Sequence, residues 1–222
     1  MRAAEKYEEA LKIEPDKDDA LYNWGLVLAY SARTKSGERA DQLLTRAAEK
    51  FEEGLKIKPD NELALYNWGN VLGEQARTRS GEDADRSYTH AGENYEAVLR
   101  INASNYKALN NWAAALCAQA QTKSGEEADR LWRLAGEKYE AALRIKPDYH
   151  QALSNWSRAL IMQAGSKSEK EAKPLLELAN KKLSAARALA PELYLTNKEP
   201  PAGKPQKPKT VRQKKKKSVK SS

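Results

Sequence analysis

The dipeptide Asn-Trp occurs at Asn23-Trp24, Asn67-Trp68, Asn111-Trp112 and Asn155-Trp156, 44 residues apart each time. The same interval links Tyr7, Phe51, Tyr95, Tyr139 and Leu183, then Ile13, Ile57, Ile101, Ile145 and Leu189, and the alanines Ala20, Ala64, Ala108 and Ala152. No insertion breaks the register, so the chain uses one supersecondary unit repeatedly. A unit of this size cannot cover its own apolar face, and successive units have to stack and share a continuous core. Four of the five tryptophans occupy one position of the unit, and Trp132 falls in register with Leu44, Tyr88 and Leu176. All five read as core.

Each unit reads as two helices. The first begins after Pro15-Asp16, Pro59-Asp60, Ala103-Ser104 or Pro147-Asp148, where Asp or Ser is suited to capping orphan amides. In the first copy Ala20, Trp24, Val27, Leu28 and Ser31 share one face at helical spacing. The second helix begins at Ser36, Ser80, Ser124 or Ser168. Three of these serines have an acid three residues on (Asp83, Glu127, Glu171), which predicts a capping box; Arg39 breaks it in the first copy. Ala40, Leu43, Leu44, Ala47, Phe51 and Leu55 form the apolar stripe of that second helix, and glycines at 37, 81 and 125 serve the turn before it. The expected architecture is therefore all-α, with four full helix-turn-helix units preceded by one half-unit helix over residues 2 to 13. Residues 1–193 make the helical-repeat domain, and 194–222 a basic tail.

Leu21, Trp24, Gly25 and Leu28, followed by Ala47, Phe51, Gly54 and Pro59, resemble the signature positions of the tetratricopeptide repeat. Later copies keep the pattern: Gly69, Ala113 and Ser157 retain a small residue at the helix crossing, and Ala91 with Tyr95 or Ala135 with Tyr139 repeat the second helix. The resemblance implies a right-handed α-solenoid whose first helices line a concave groove for a peptide segment or helix of a partner protein. The unit is about ten residues longer than the usual one, enlarged around the Thr-x-Ser-Gly turn. Plant-type mitochondrial outer-membrane import receptors are similar in having enlarged units of this kind; they end in a membrane anchor, whereas this chain ends in lysines.

Within the groove that the resemblance implies, the core positions repeat while the opposite side of the first helix varies. Tyr22, Tyr66, Asn110 and Ser154 share one position, and Leu26, Asn70, Ala114 and Arg158 another. A surface that reads a particular ligand has this property, and so does an unconstrained surface. Asn23, Asn67, Asn111 and Asn155 are unvaried, which suits either hydrogen bonding to a bound peptide backbone or satisfaction of polar groups between helices. The candidate partner-binding residues are accordingly Tyr22, Asn23, Leu26, Tyr66, Asn67, Asn70, Asn110, Asn111, Asn155 and Arg158. The lysine, asparagine and arginine clamp by which related domains hold the carboxy-terminal tails of heat-shock chaperones is incomplete. Asn67 and Lys107 match it, but Tyr22, Leu26 and Asn111 stand where lysine, asparagine and arginine are needed.

The formal charge of +8 is unevenly distributed. Residues 194–222 carry nine Lys, one Arg and one Glu, leaving the first 193 residues with 29 basic and 30 acidic side chains. With its prolines at 200, 201, 205 and 208, that tail cannot bury enough apolar area to fold alone, and disorder is expected. Its cluster Arg212, Lys214, Lys215, Lys216, Lys217 and Lys220 is a candidate nuclear-import signal or a contact for nucleic acid or anionic lipid; the plain alternative is a solubilising tail.

No catalytic constellation, metal site or cofactor is expected, since His90 and His150 stand alone and Cys117 is the single cysteine. The absence of an apolar run near the roughly 20 residues needed to span a bilayer, and of a signal-peptide pattern, places the expected location inside the cell, in cytoplasm or nucleus or at an organelle. The leading expectation is a protein-interaction adaptor and not an enzyme. Basic-tail binding with the solenoid as spacer, and an organelle import receptor, are its alternatives.

Overall fold

The computed structural model describes residues 6, 7, 9, 11, 13, 14 and 17–194. Among them stand eight complete helices and no strand: α1 (Asp18–Ala32), α2 (Gly37–Ile57), α3 (Glu62–Thr78), α4 (Gly81–Ile101), α5 (Tyr106–Ala120), α6 (Gly125–Ile145), α7 (His150–Ala164) and α8 (Glu169–Leu189), then a short 3-10 turn, Pro191–Leu193. Residues 6, 7, 9, 11 and 13 are helical as well, and Tyr7 and Leu11 pack against the core of the first unit. The remainder of the expected half-unit helix, and the tail with Arg212, Lys214, Lys215, Lys216, Lys217 and Lys220, lie outside the described residues.

Consecutive helices pack pairwise, and the odd-numbered ones also touch each other, α1 to α3, α3 to α5 and α5 to α7. Among the described residues the even-numbered helices make no such contacts with one another. The first helices therefore lie on the inside of a curve and the second helices fan out on its outer side, which is the geometry of an α-solenoid.

The pairing depends on a small residue opposite an aromatic one. Phe51 is fully buried, and Tyr95 and Tyr139 are nearly so. A β-carbon at Gly25 would stand 2.8 Å from the Phe51 ring, and one at Gly69 would stand 2.9 Å from the Tyr95 ring. The ring thus occupies the space that a side chain on the first helix would need, which lets the two helices close to contact.

Three departures from the sequence reading have local causes. Trp24 and Trp132 are buried, but Trp68, Trp112 and Trp156 are only half-buried, so the tryptophan position is not uniformly core. The tryptophan straddles the junction between units: the Tyr139 ring stacks on Trp156 at 6.1 Å, and the Lys182 ammonium covers it at 3.8 Å from the ring centre. Lys138 does the same over Trp112 at 3.7 Å and Lys50 over Trp24 at 4.8 Å, an arrangement in which a half-buried cation serves as the lid. The capping box forms only at Ser168 with Glu171. At Ser36, Ser80 and Ser124 the serine side chain makes no cap bond, because the following Gly37, Gly81 and Gly125 adopt φ of +58, +58 and +59° and swing the chain into the helix without it. Finally, α3 and α5 are capped by Asn61 and Asn105, which accept from Ala64 N at 3.1 Å and Ala108 N at 2.9 Å; each lies one residue past the expected Asp60 and Ser104.

The enlarged turn also holds a charge register. Asp41 pairs with Arg79 at 3.0 Å, Asp85 with Lys123 at 2.5 Å and Asp129 with Lys167 at 2.5 Å, each carboxylate reaching the turn of the next unit. The extra length of the unit is thus spent on cross-unit staples. The hydrogen bond from Lys123 holds the Asp85 carboxyl below its usual range, and the same bond holds the Lys123 ammonium above its own.

Two stability predictions follow from this packing. Phe51→Ala opens a void under α1 and is expected to cost about 3–5 kcal/mol, read by urea denaturation. Asp85→Asn removes a carboxylate whose folded pKa is depressed, so its contribution is present above the ordinary carboxylate range and lost as pH falls through that lowered value. The thermal midpoint of the variant should lie below that of the parent at pH 7, and the gap should narrow below about pH 4; a constant gap at acid pH would contradict the staple.

Candidate functional site: the concave groove

The inner helices α1, α3 and α5 border a half-open cavity of about 610 Å³. Its apolar wall comes from Leu26, Ala29, Val71 and Ala114, with Leu44 behind. Tyr66, Asn67, Asn70 and Asn111 supply the polar wall, and the end nearest the enlarged turns carries Arg33, Lys35, Glu74 and Arg77.

The polar wall is a ladder between units. Asn67 Nδ2 donates to Tyr22 Oη at 3.2 Å, Asn111 Nδ2 to Tyr66 Oη at 2.9 Å, and Asn155 Nδ2 to Asn110 Oδ1 at 3.1 Å. Each bond links the asparagine of one unit to the varied position of the preceding unit. The middle rung is densest: Asn111 Nδ2 also donates to Asn70 Oδ1 at 2.8 Å, Tyr95 Oη donates to that same oxygen at 2.8 Å, and Asn110 Nδ2 donates to Asn111 Oδ1 at 2.9 Å. Both tyrosines rest on core rings, Tyr22 at 6.0 Å from Phe51 and Tyr66 at 6.4 Å from Tyr95. Burial raises the Tyr66 phenol above its usual pKa, so it remains a neutral partner to the two amides.

Of the ten candidate residues, Leu26, Tyr66, Asn67, Asn70 and Asn111 line the cavity together. Tyr22 borders it through its bond to Asn67. Asn110 is buried, its amide engaged within the ladder and not presented to a ligand. Asn23 is exposed and makes no side-chain hydrogen bond among the described residues. Asn155 and Arg158 lie on α7, beyond the cavity, the former tied to Asn110 and the latter exposed. Sequence reasoning did not single out Ala29, Tyr30, Lys35 or Glu74; the register of Lys35 with Arg79, Lys123 and Lys167 was the available signal.

Among the described residues no group of three or more His, Cys, Asp or Glu stands together as metal ligands. Cys117 is buried, and its thiol is pushed up to about 12 by burial, which leaves no thiolate at neutral pH. No helix among the described residues is long and apolar enough to cross a membrane.

Stacked helix pairs with an inward-facing groove define the class: a tetratricopeptide-type solenoid. Its architecture is shared by the crystal structure of MamA, at 17% identity and a TM-score of 0.61 over 86% of this chain and 88% of that one. A second MamA structure, residues 41 to the end from Desulfovibrio magneticus RS-1, aligns at 18% identity and a TM-score of 0.60 over 83% and 84%. At such identities the likeness is one of fold alone. No curated protein sequence matches the chain. The family model of the plant specific mitochondrial import receptor subunit TOM20 matches residues 1–66 and 82–220, and the chain belongs to that family. Its class is thus a receptor-type protein-interaction one, as the enlarged units suggested. The unmatched stretch 67–81 supplies Asn67, Asn70, Glu74 and Arg77 to the cavity.

The two ends of the asparagine register separate scaffold from surface. Asn111→Ala strips partners from Tyr66, Asn70 and Asn110 and is expected to destabilise the domain by about 1–3 kcal/mol, whereas Asn23→Ala should leave the urea midpoint unchanged. Equal effects at both positions would refute the ladder.

Proposed function

We propose that the chain is a receptor subunit of mitochondrial import that receives an extended or helical segment of a client protein in the cavity between α1, α3 and α5. The observation that carries this reading is a built cavity on the inner helices, half apolar and half amide-lined, in a chain of the import-receptor family. Apolar side chains of a client gain burial against Leu26, Ala29 and Ala114, and the amide wall supplies directional contacts. Within this reading the tail contributes at an organelle surface: the family match runs through residue 220 and so includes Arg212, Lys214, Lys215, Lys216, Lys217 and Lys220. That favours an anionic membrane surface over nucleic acid as the counterpart of those cations.

The test is capture of mitochondrial precursor proteins by the immobilised full chain. Leu26→Asp and Ala114→Asp place a carboxylate on the apolar wall and should reduce recovery at least tenfold with helicity intact, while tail substitutions should not. Unchanged recovery with either wall variant would remove the groove from the function.

A further inference from the structure

Each outer helix ends on an aliphatic residue at the turn that leaves its unit: Ile57 on α2, Ile101 on α4, Ile145 on α6 and Leu189 on α8. All four are exposed, as are Leu63 at the start of α3 and Leu193 just past α8. None belongs to a core cluster. Consecutive helices run in opposite directions, so these turns share one edge of the solenoid and the enlarged turns occupy the other. Most of the large apolar side chains exposed among the described residues stand on this first edge. The last turn of each outer helix also carries a cation, Lys56, Arg100, Arg144 or Arg187, and Lys58 and Lys146 directly follow two of the isoleucines. A cation there offsets the helix dipole, which accounts for the charge but not for the aliphatic side chain held in water beside it.

The same turns bring four acids, Asp60, Glu62, Asp148 and Glu192, against those six cations. Asp148 is paired with Lys146 at 2.9 Å, and Glu62 accepts from Asn102 Nδ2 at 3.0 Å and Asn105 Nδ2 at 2.8 Å. Lys56 is paired with Glu52 at 3.1 Å, whereas Lys58, Arg100, Arg144 and Arg187 form no ion pair among the described residues. From this edge, past Tyr194, the chain continues into the segment that bears nine Lys and one Arg against one Glu.

We infer that this edge is a lipid-docking surface, which seats the solenoid on an anionic bilayer with the inter-unit turns at headgroup level and the enlarged turns pointing away. The inference shares with the receptor reading only the anionic surface assigned to the tail, and does not need the groove to bind a client. A second protein is the poorer counterpart: a stable interface wants a continuous complementary patch depleted of lysine at its centre, and here single aliphatic side chains sit on separate turns between cations. A fluid headgroup layer accepts that pattern, taking the aliphatic tips into its acyl boundary while lysine and arginine stems reach the phosphates. A polybasic segment alone holds a membrane reversibly, and an apolar row beside it supplies the second contact that stable docking needs.

The experiment uses the full chain with vesicles of phosphatidylcholine, alone or mixed with phosphatidylserine. An environment-sensitive dye is attached at Ile101→Cys on this edge or at Ser124→Cys on the enlarged-turn edge; Cys117 is buried and stays unlabelled. The dye at position 101 should shift to the blue with the anionic vesicles only, and the dye at position 124 with neither. In vesicle sedimentation Ile57→Gln with Ile145→Gln should weaken binding about tenfold, Arg100→Gln with Arg144→Gln should do the same, and Leu26→Asp in the groove should change nothing. Equal shifts at the two edges, or edge variants that sediment like the parent, would assign the vesicles to the tail alone and overturn the inference. A blue shift at position 101 that precedes vesicles and grows with protein concentration would make the edge a contact between copies, and overturn it as well. Precursor capture is the separate readout: its loss in Leu26→Asp with an unchanged vesicle response supports an edge that works independently of the groove.

Discussion

Everything on the concave side depends on how closely the two helices of a unit approach, and that distance is fixed by one buried ring over one small residue. Phe51 against Gly25 and Tyr95 against Gly69 leave no room for a β-carbon at an undisturbed ring. The ring belongs to the outer helix and the small residue to the inner one, so the inner helices are drawn under the outer row and into contact with each other. The outer helices, 21 residues long, splay apart, and the difference between the two rows is the curvature. A cavity of this kind is thus a consequence of core packing. Varied side chains decorate it, but they do not create it.

Three repeated devices then lock one unit to the next, at different depths. The tryptophan junction closed by lysines lies between outer helices, the amide ladder runs along the inner ones, and the aspartate staples sit at the enlarged turn. Their energetic characters differ. The staples, half-exposed to solvent, are individually weak and sensitive to salt and acid. The ladder is costlier to break because its groups are half-buried and Asn110 fully so, and an amide left unpaired there forfeits part of its hydration. A register built from both kinds of contact resists slipping by one turn, since any slip would mismatch the rungs and the staples together.

The repeat, the helix pairs, the ring positions and the small residues opposite them were legible because each is written in identity at fixed spacing. What escaped was contextual. Ser36, Ser80 and Ser124 carry the residues of a cap without its bond, since a glycine in the left-handed region sets the entry angle instead. The tryptophan position looks uniform in sequence but ranges from buried to half-buried, because a lysine lid and a neighbouring ring share the task of covering it. Ile57, Ile101 and Ile145 repeat as faithfully as the core yet are 41, 46 and 40% exposed, which no periodicity reveals. In the groove, Leu26, Asn70 and Asn111 were accessible from variation and invariance along one helix. Lys35 was not, since its periodicity sets it with Arg79, Lys123 and Lys167 and does not reveal that it lines the cavity.

Differences at single register positions show how a repeat acquires an individual surface without altering its core. At the opposite end of the same charge register, Lys173 occupies the place of Asp41, Asp85 and Asp129, so the acid is absent where α8 has no staple among the described residues to make. Leu176 likewise takes the place of Leu44, Tyr88 and Trp132 and is 41% exposed, the large ring being withdrawn where less covers it. The fourth unit thus differs from the others at both positions, while in the first the staple cation Lys35 lines the cavity and has no carboxylate partner among the described residues. Polar groups tied to a neighbouring unit are consumed by it, as Arg79, Lys123 and Lys167 are by their aspartates, whereas Lys35, with no carboxylate partner among the described residues, is not. The polar side chains not consumed by the ladder or the staples therefore stand out along the groove between α1 and α3, where Lys35 lines the cavity.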